Sequence, residues 1–215
     1  MSESPVLLNK KTPEQWLVTI NRIDKANALT RDMRLQLRDV FFQAQNDTEL
    51  RSLVITGAGD RVFSGGADLA EVRANNEPRD DVWDEMSQAL VDVPALTVAM
   101  INGHCIGGGM VLALCCDFRI GAQHAQFAYP ALRMGAIPGN IDRDRLNHFV
   151  GTARASLLLL GDARIDALEA CQWGLIERVV DQNDLYSAVD NLCESANSSD
   201  GAHLAALKRR IWSCD

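Results

Sequence analysis

Apolar residues along this 215-residue chain follow two rhythms. Short apolar runs bounded by glycine or polar clusters predict strands. They are Leu7-Leu8 and residues 16–20 (WLVTI), 52–56 (SLVIT), 97–101 (TVAMI) and 118–121 (FRIG). A polar stretch, 10–15, separates the first two. Helical spacing takes over elsewhere. Thr30 is placed as the N-cap of a helix over about 31–46, with Met33, Leu37, Val40 and Phe41 on one face. Residues 68–74 follow a glycine pair, and 80–93 carry Val82, Met86, Leu90 and Val93 at the same spacing. Residues 108–115 are apolar on nearly every side, which predicts a buried helix. From about Arg143 the pattern is mostly helical, with one strand-like stretch at 176–180. Residues 183–212 read as two amphipathic helices broken by the polar segment 197–201. Strands alternating with helices predict an α/β domain with mainly parallel connections, divided into a core over 1–182 and a helical segment over 183–215.

Composition narrows the function classes. Lys and Arg number 21 against 29 Asp and Glu, a net charge of −8. An acidic chain lacks the clustered basic footprint of a nucleic-acid binder. No apolar run approaches the ~20 residues of a membrane helix. Met1-Ser2-Glu3-Ser4-Pro5 has no basic region leading into an apolar stretch, so a cytoplasmic location is expected. The cysteines Cys105, Cys115, Cys116, Cys171, Cys193 and Cys214 form no C-x-x-C pair and read as reduced core thiols. No metal site is expected.

Two glycine-rich loops carry the candidate chemistry. The first, Phe63-Ser64-Gly65-Gly66-Ala67-Asp68-Leu69, follows a strand and opens a helix. The second, Asn102-Gly103-His104-Cys105-Ile106-Gly107-Gly108-Gly109, leads into the buried helix. Backbone N–H groups at a helix start lack intrahelical partners and can hold an anion or a developing oxyanion. Two loops aimed at one carbonyl would stabilise a thioester enolate. A dinucleotide fingerprint fails because Leu112 stands where its third glycine belongs, and no Gly-Lys-Ser/Thr of a Walker loop occurs.

An ordered set of residues resembles the crotonase superfamily, also called enoyl-CoA hydratase/isomerase. It runs from Lys25-Ala26-Asn27-Ala28-Leu29 through both loops and Cys116-Asp117. Phe127, Pro130, Gly135, Ile137-Pro138-Gly139, Val150-Gly151 and Gly174-Leu175 continue it. The resemblance implies a spiral of ββα units with a helical C-terminal part used in trimerisation. It implies a homo-oligomer, a trimer or hexamer, and an acyl-CoA or acyl-carrier-protein thioester as substrate. Coenzyme A enters as part of that substrate, with no separate cofactor. Carried over by position, the oxyanion donors are the N–H groups of Ala67 and Gly108. CoA would lie along Asn27, Ala28, Leu29, Gly66, Asp68 and Leu69, with Lys25 a candidate phosphate contact. The acyl pocket would be bordered by Val111, Ala131 and Gly139.

The pattern also breaks. By the resemblance, the two hydratase glutamates fall at Val111 and Ala131, and neither side chain transfers a proton. Conventional hydration is therefore not expected. Decarboxylation, thioester hydrolysis or an altered isomerisation fits better, and a catalytically silent acyl-CoA-binding or scaffold protein is the rival. Asp142, in the turn after Pro138-Gly139, is the replacement acid candidate; the alternative is a helix N-terminal turn in which Asp142 or Asp144 satisfies free N–H groups or pairs with Arg145. His104 is a second candidate, set against a packing role, and Tyr129 against a place in the core. His124, His148 and His203 read as surface residues and Asp117 as structural. The chain ends at Asp215, which reads as a shortened helical C-terminal part, with Leu204, Leu207, Ile211 and Trp212 as an exposed apolar face.

Overall fold

The computed structural model describes residues 4–75 and 79–212. Met1 to Glu3 and Cys214 lie outside the described residues. Ten strands and nine α-helices occur among the described residues. The strands are β1 (Val6–Lys10), β2 (Gln15–Ile20), β3 (Ser52–Gly57), β4 (Val62–Ser64), β5 (Leu96–Ile101), β6 (His104–Ile106), β7 (Phe118–Ala122), β8 (Gln126–Ala128), β9 (Arg164–Asp166) and β10 (Arg178–Val180). The helices are α1 (Arg31–Asn46), α2 (Leu69–Asn75), α3 (Asp81–Val91), α4 (Gly108–Cys115), α5 (Ala131–Met134), α6 (Asn140–Leu159), α7 (Ala167–Trp173), α8 (Leu185–Asn197) and α9 (Gly201–Trp212).

The topology is a spiral. One sheet has the order β1-β2-β3-β5-β7-β10 and the other β4-β6-β8-β9. The consecutive pairs β3/β4, β5/β6 and β7/β8 each give one strand to each sheet and are followed by helix. Within each sheet these successive strands pair in parallel. The chain thus winds through one ββα turn after another, and each turn stacks on the last. Antiparallel pairing is confined to β1–β2 and β8–β9.

Burial explains the winding. Met33, Leu37 and Phe41 of α1 are fully buried, each worth roughly 1.5–3 kcal/mol relative to exposure. The Thr30 hydroxyl accepts from Met33 N, as its N-cap position predicts. The other face of the six-stranded sheet is covered by α8, whose Leu185, Val189 and Cys193 pack on Val54, Val98 and Ile120. Cys105, Cys115, Cys116 and Cys193 are buried free thiols, and burial pushes Cys115 up to about 12 and Cys193 up to about 11.

Three expectations change. The strand expected at 176–180 is confined to Arg178–Val180, because Gly174 ends α7 and Ile176 turns into the core with its N–H on Ala170 O. The helix expected from Arg143 starts at Asn140 and breaks at Gly151 (φ 75°). Trp212 does not belong to an exposed face. Its indole donates to Asp117 Oδ1 (2.9 Å) and lies 4.0 Å from the Arg145 guanidinium, while Leu207 and Ile211 are exposed.

Candidate active site

The first glycine loop is held by the segment around Asn27. Ala26 and Asn27 both adopt φ 52°. Asn27, a residue type that tolerates the left-handed region, is buried. Its side chain accepts from Arg22 N (3.0 Å) and donates to Ala58 O (3.0 Å) and Val62 O (2.7 Å). This knot presents backbone groups to the loop. Gly65 N donates to Ala26 O (2.8 Å), Leu29 N to Gly66 O (2.7 Å) and Asp68 N to Leu29 O (3.1 Å), while Gly66 N reaches Ser64 Oγ (3.2 Å). Every neighbouring amide is thereby used. The Ala67 N–H has no acceptor among the described residues.

The second loop reaches a similar state by a different route. Gly107 (φ 52°) donates to Ala128 O, and its carbonyl accepts from Met110 N and Val111 N. Gly108 opens α4, and its N–H also lacks an acceptor among the described residues. At the far end of α4, Arg145 donates to Leu114 O and Cys116 O, and Arg119 donates to Cys116 O (2.9 Å). Cations there complement the helix dipole and leave its positive end at Gly108.

The loops touch. A β-carbon on Gly66 would stand 2.8 Å from Gly108 N, and one on Gly108 would stand 2.1 Å from the Trp83 ring. Between them opens a cavity of about 220 Å³, bordered by Ala67, Trp83, Gly108, Val111, Tyr129 and Ala131 among others. Both free amides therefore belong to residues of one cavity wall, and so do the two positions where the resemblance places hydratase glutamates. No Asp, Glu, His or Cys borders this cavity among the described residues.

Other expected residues take different places. Leu69 borders the cavity. Lys25 is exposed, Ala28 half-buried and Leu29 buried, none of them on that wall. Asp68 is occupied. It pairs with Arg22 (2.5 Å) and caps α2 through Ala70 N and Glu71 N; the Arg22 hydrogen bond holds its carboxyl below the usual range. His104 is half-buried on β6 and does not border the cavity. Its Nδ1 has no hydrogen-bond partner among the described residues, and burial lowers its pKa. Asp117 accepts from Thr97 N and Oγ1 and pairs with Lys208 (2.6 Å), so it ties α9 to β5.

Asp142 lies behind the wall. It is fully buried, with Oδ2 bonded to the Tyr129 hydroxyl (2.5 Å) and Oδ1 3.2 Å from Arg79. Arg79 also pairs with Asp84 (2.6 Å). Arg145 is not its partner, as the helix-start reading had it. Gly139 makes room for this cluster, since a β-carbon there would lie 2.1 Å from Arg79 and 2.8 Å from Asp142 Oδ1. Burial raises the Asp142 carboxyl against the opposing pull of Arg79, and raises Tyr129 well above the ordinary phenol. Sequence reasoning missed Arg79 and Trp83 altogether.

Comparison with known proteins identifies the family. The enoyl-CoA hydratase/isomerase family matches residues 15–212. A carnitinyl-CoA dehydratase of Citrobacter koseri is 34% identical over 194 residues, covering 89% of this chain and 74% of its own length. The crystal structure of an enoyl-CoA hydratase from Bacillus anthracis superposes with a TM-score of 0.89 at 28% identity, covering 97% of this chain and 82% of that one. A monofunctional enoyl-CoA isomerase from M. smegmatis gives 0.83 at 30% identity, covering 97% and 92%. The winding ββα core, the order of the motifs and these matches together establish that the chain belongs to the enoyl-CoA hydratase/isomerase family.

Proposed function

We propose that this chain binds an acyl-CoA thioester with its carbonyl oxygen between the N–H groups of Ala67 and Gly108, and forms the thioester enolate by releasing CO₂ from a malonyl-type acyl group. The observation that carries this reading is the cavity wall. It offers two unpartnered amides and no side-chain base among the described residues. Two preorganised donors suit an enolate oxygen, and loss of one such donor lowers turnover about 10²–10³-fold in comparable sites. Hydration needs groups that move protons to and from water, and Val111 and Ala131 have none. Decarboxylation needs no base, because the C–CO₂ bond supplies the electron pair. The rest of the lining is mostly apolar, and Arg79 and Arg133 are the cations that border it among the described residues. The CoA arm would run past Leu69 and the loop at Gly66, with Lys25 and Ala28 at the rim. A carrier-protein thioester presents the same arm.

Binding calorimetry beside a substrate panel tests the reading. Malonyl- or methylmalonyl-CoA is expected to be decarboxylated, and crotonyl-CoA is expected to bind without hydration. Family-like hydration of crotonyl-CoA would overturn it. Tight acyl-CoA binding with no turnover across the panel would replace it with a silent binding protein.

A further inference from the structure

We propose that Tyr129 protonates the α-carbon of the enolate and that Asp142 resupplies Tyr129 from behind the cavity wall. The proposal rests on the decarboxylation reading and names its proton donor. Tyr129 is the only hydroxyl-bearing residue that borders the cavity among the described residues, and its hydroxyl donates to Asp142 Oδ2. That donation spans 2.5 Å, and Asp142 has no exposure of its own. Arg79 Nη2 stands 3.2 Å from the other carboxylate oxygen, and the same nitrogen pairs with Asp84 Oδ1 (2.6 Å). A buried charged cluster of this kind stabilises a fold poorly, yet Gly139 leaves the room it occupies.

The chemistry balances. Cleavage of the C–CO₂ bond leaves its electron pair on the thioester enolate and releases CO₂. When Asp142 is protonated it donates to the phenol oxygen, which frees the phenol O–H for the cavity. The enolate α-carbon takes that proton, the phenol oxygen takes the proton of Asp142, and Asp142 is left as a carboxylate beside Arg79. One proton from solvent restores it, which is the proton that decarboxylation consumes. Burial raises the Asp142 carboxyl above the ordinary range, against the opposing pull of Arg79, which stabilises the charged product form. In this scheme Tyr129 is the catalytic residue and Asp142 and Arg79 are positioning residues.

Methylmalonyl-CoA turned over in D₂O tests this, with the configuration of the 2-deuteriopropionyl-CoA as readout. The wild type is expected to yield one configuration. Tyr129→Phe is expected to yield both, since water then protonates the enolate from either face, with kcat lowered about 100-fold and KM within about twofold. Asp142→Asn is expected to slow turnover but keep one configuration, because Tyr129 remains to deliver the proton from one face. Retention of a single configuration in Tyr129→Phe would overturn the relay while leaving decarboxylation intact. A mixture from the wild type would overturn it even if neither variant folds. Absence of CO₂ release from the wild type would remove the decarboxylation reading and the relay with it.

Discussion

Gly66 and Gly108 meet backbone to backbone: a β-carbon on residue 66 would lie 2.8 Å from the amide nitrogen of residue 108 and equally close to Ile106 O. Gly66 also sits at φ +95°, where L side chains are strained. Contact and conformation together make this glycine the hinge pin between the two loops. Gly66→Ala is expected to destabilise the protein by about 1–3 kcal/mol and to depress kcat/KM more than acyl-CoA affinity. Urea denaturation and steady-state kinetics check this, and a fully stable, fully active variant would show that the loops do not depend on the contact.

Asp117 ties the last helix to the core. Its carboxylate accepts from Thr97, Lys208 and the Trp212 indole, and both it and Lys208 are about nine-tenths buried. Removing it leaves a buried ammonium without its counter-charge. Asp117→Ala is expected to cost about 3–5 kcal/mol, and hydrogen exchange should show the amides of α9 losing protection before those of the sheets. Unchanged protection across α9 would contradict the anchoring role.

His104 gives the stability a pH dependence. Burial holds its folded-state pKa below the ordinary 6.5, helped by the charges of Arg164, His124 and Arg61. In the window below 6.5 the unfolded chain therefore binds the proton more readily, so stability falls as pH drops through that window and levels off below the folded value. His104→Gln is expected to be less sensitive to acid than the wild type between neutral pH and about pH 5. Identical pH profiles of urea midpoint would count against it.

Much of this was legible in sequence because it is local. The cap at Thr30, the stripe of α1 and the all-round apolarity of α4 are properties of single segments, and they fall where expected. The loop glycines were readable as candidates because there are two such runs at strand-to-helix turns, and a bare Cα lets a ligand approach the backbone as readily as it serves a tight turn. The cluster of Tyr129, Asp142 and Arg79 was not readable, since Arg79 and Asp142 stand 63 residues apart and no periodicity joins them. The three-residue strands β4, β6, β8 and β9 are too short to show an alternation. Asp68 and Asn27 read as ligand contacts, yet their side chains brace the loop through Arg22, Ala58 and Val62. A polar side chain in a motif does not reveal whether it faces a substrate or its own backbone.

The central claim is that two amides grip one thioester oxygen, and the carbonyl stretch of a bound, unreactive acyl-CoA labelled with ¹³C at the thioester reports on it directly. Two hydrogen bonds from Ala67 and Gly108 would polarise the carbonyl and move its infrared band to clearly lower frequency than in water. A bound thioester whose band stays at its solution position would contradict the account.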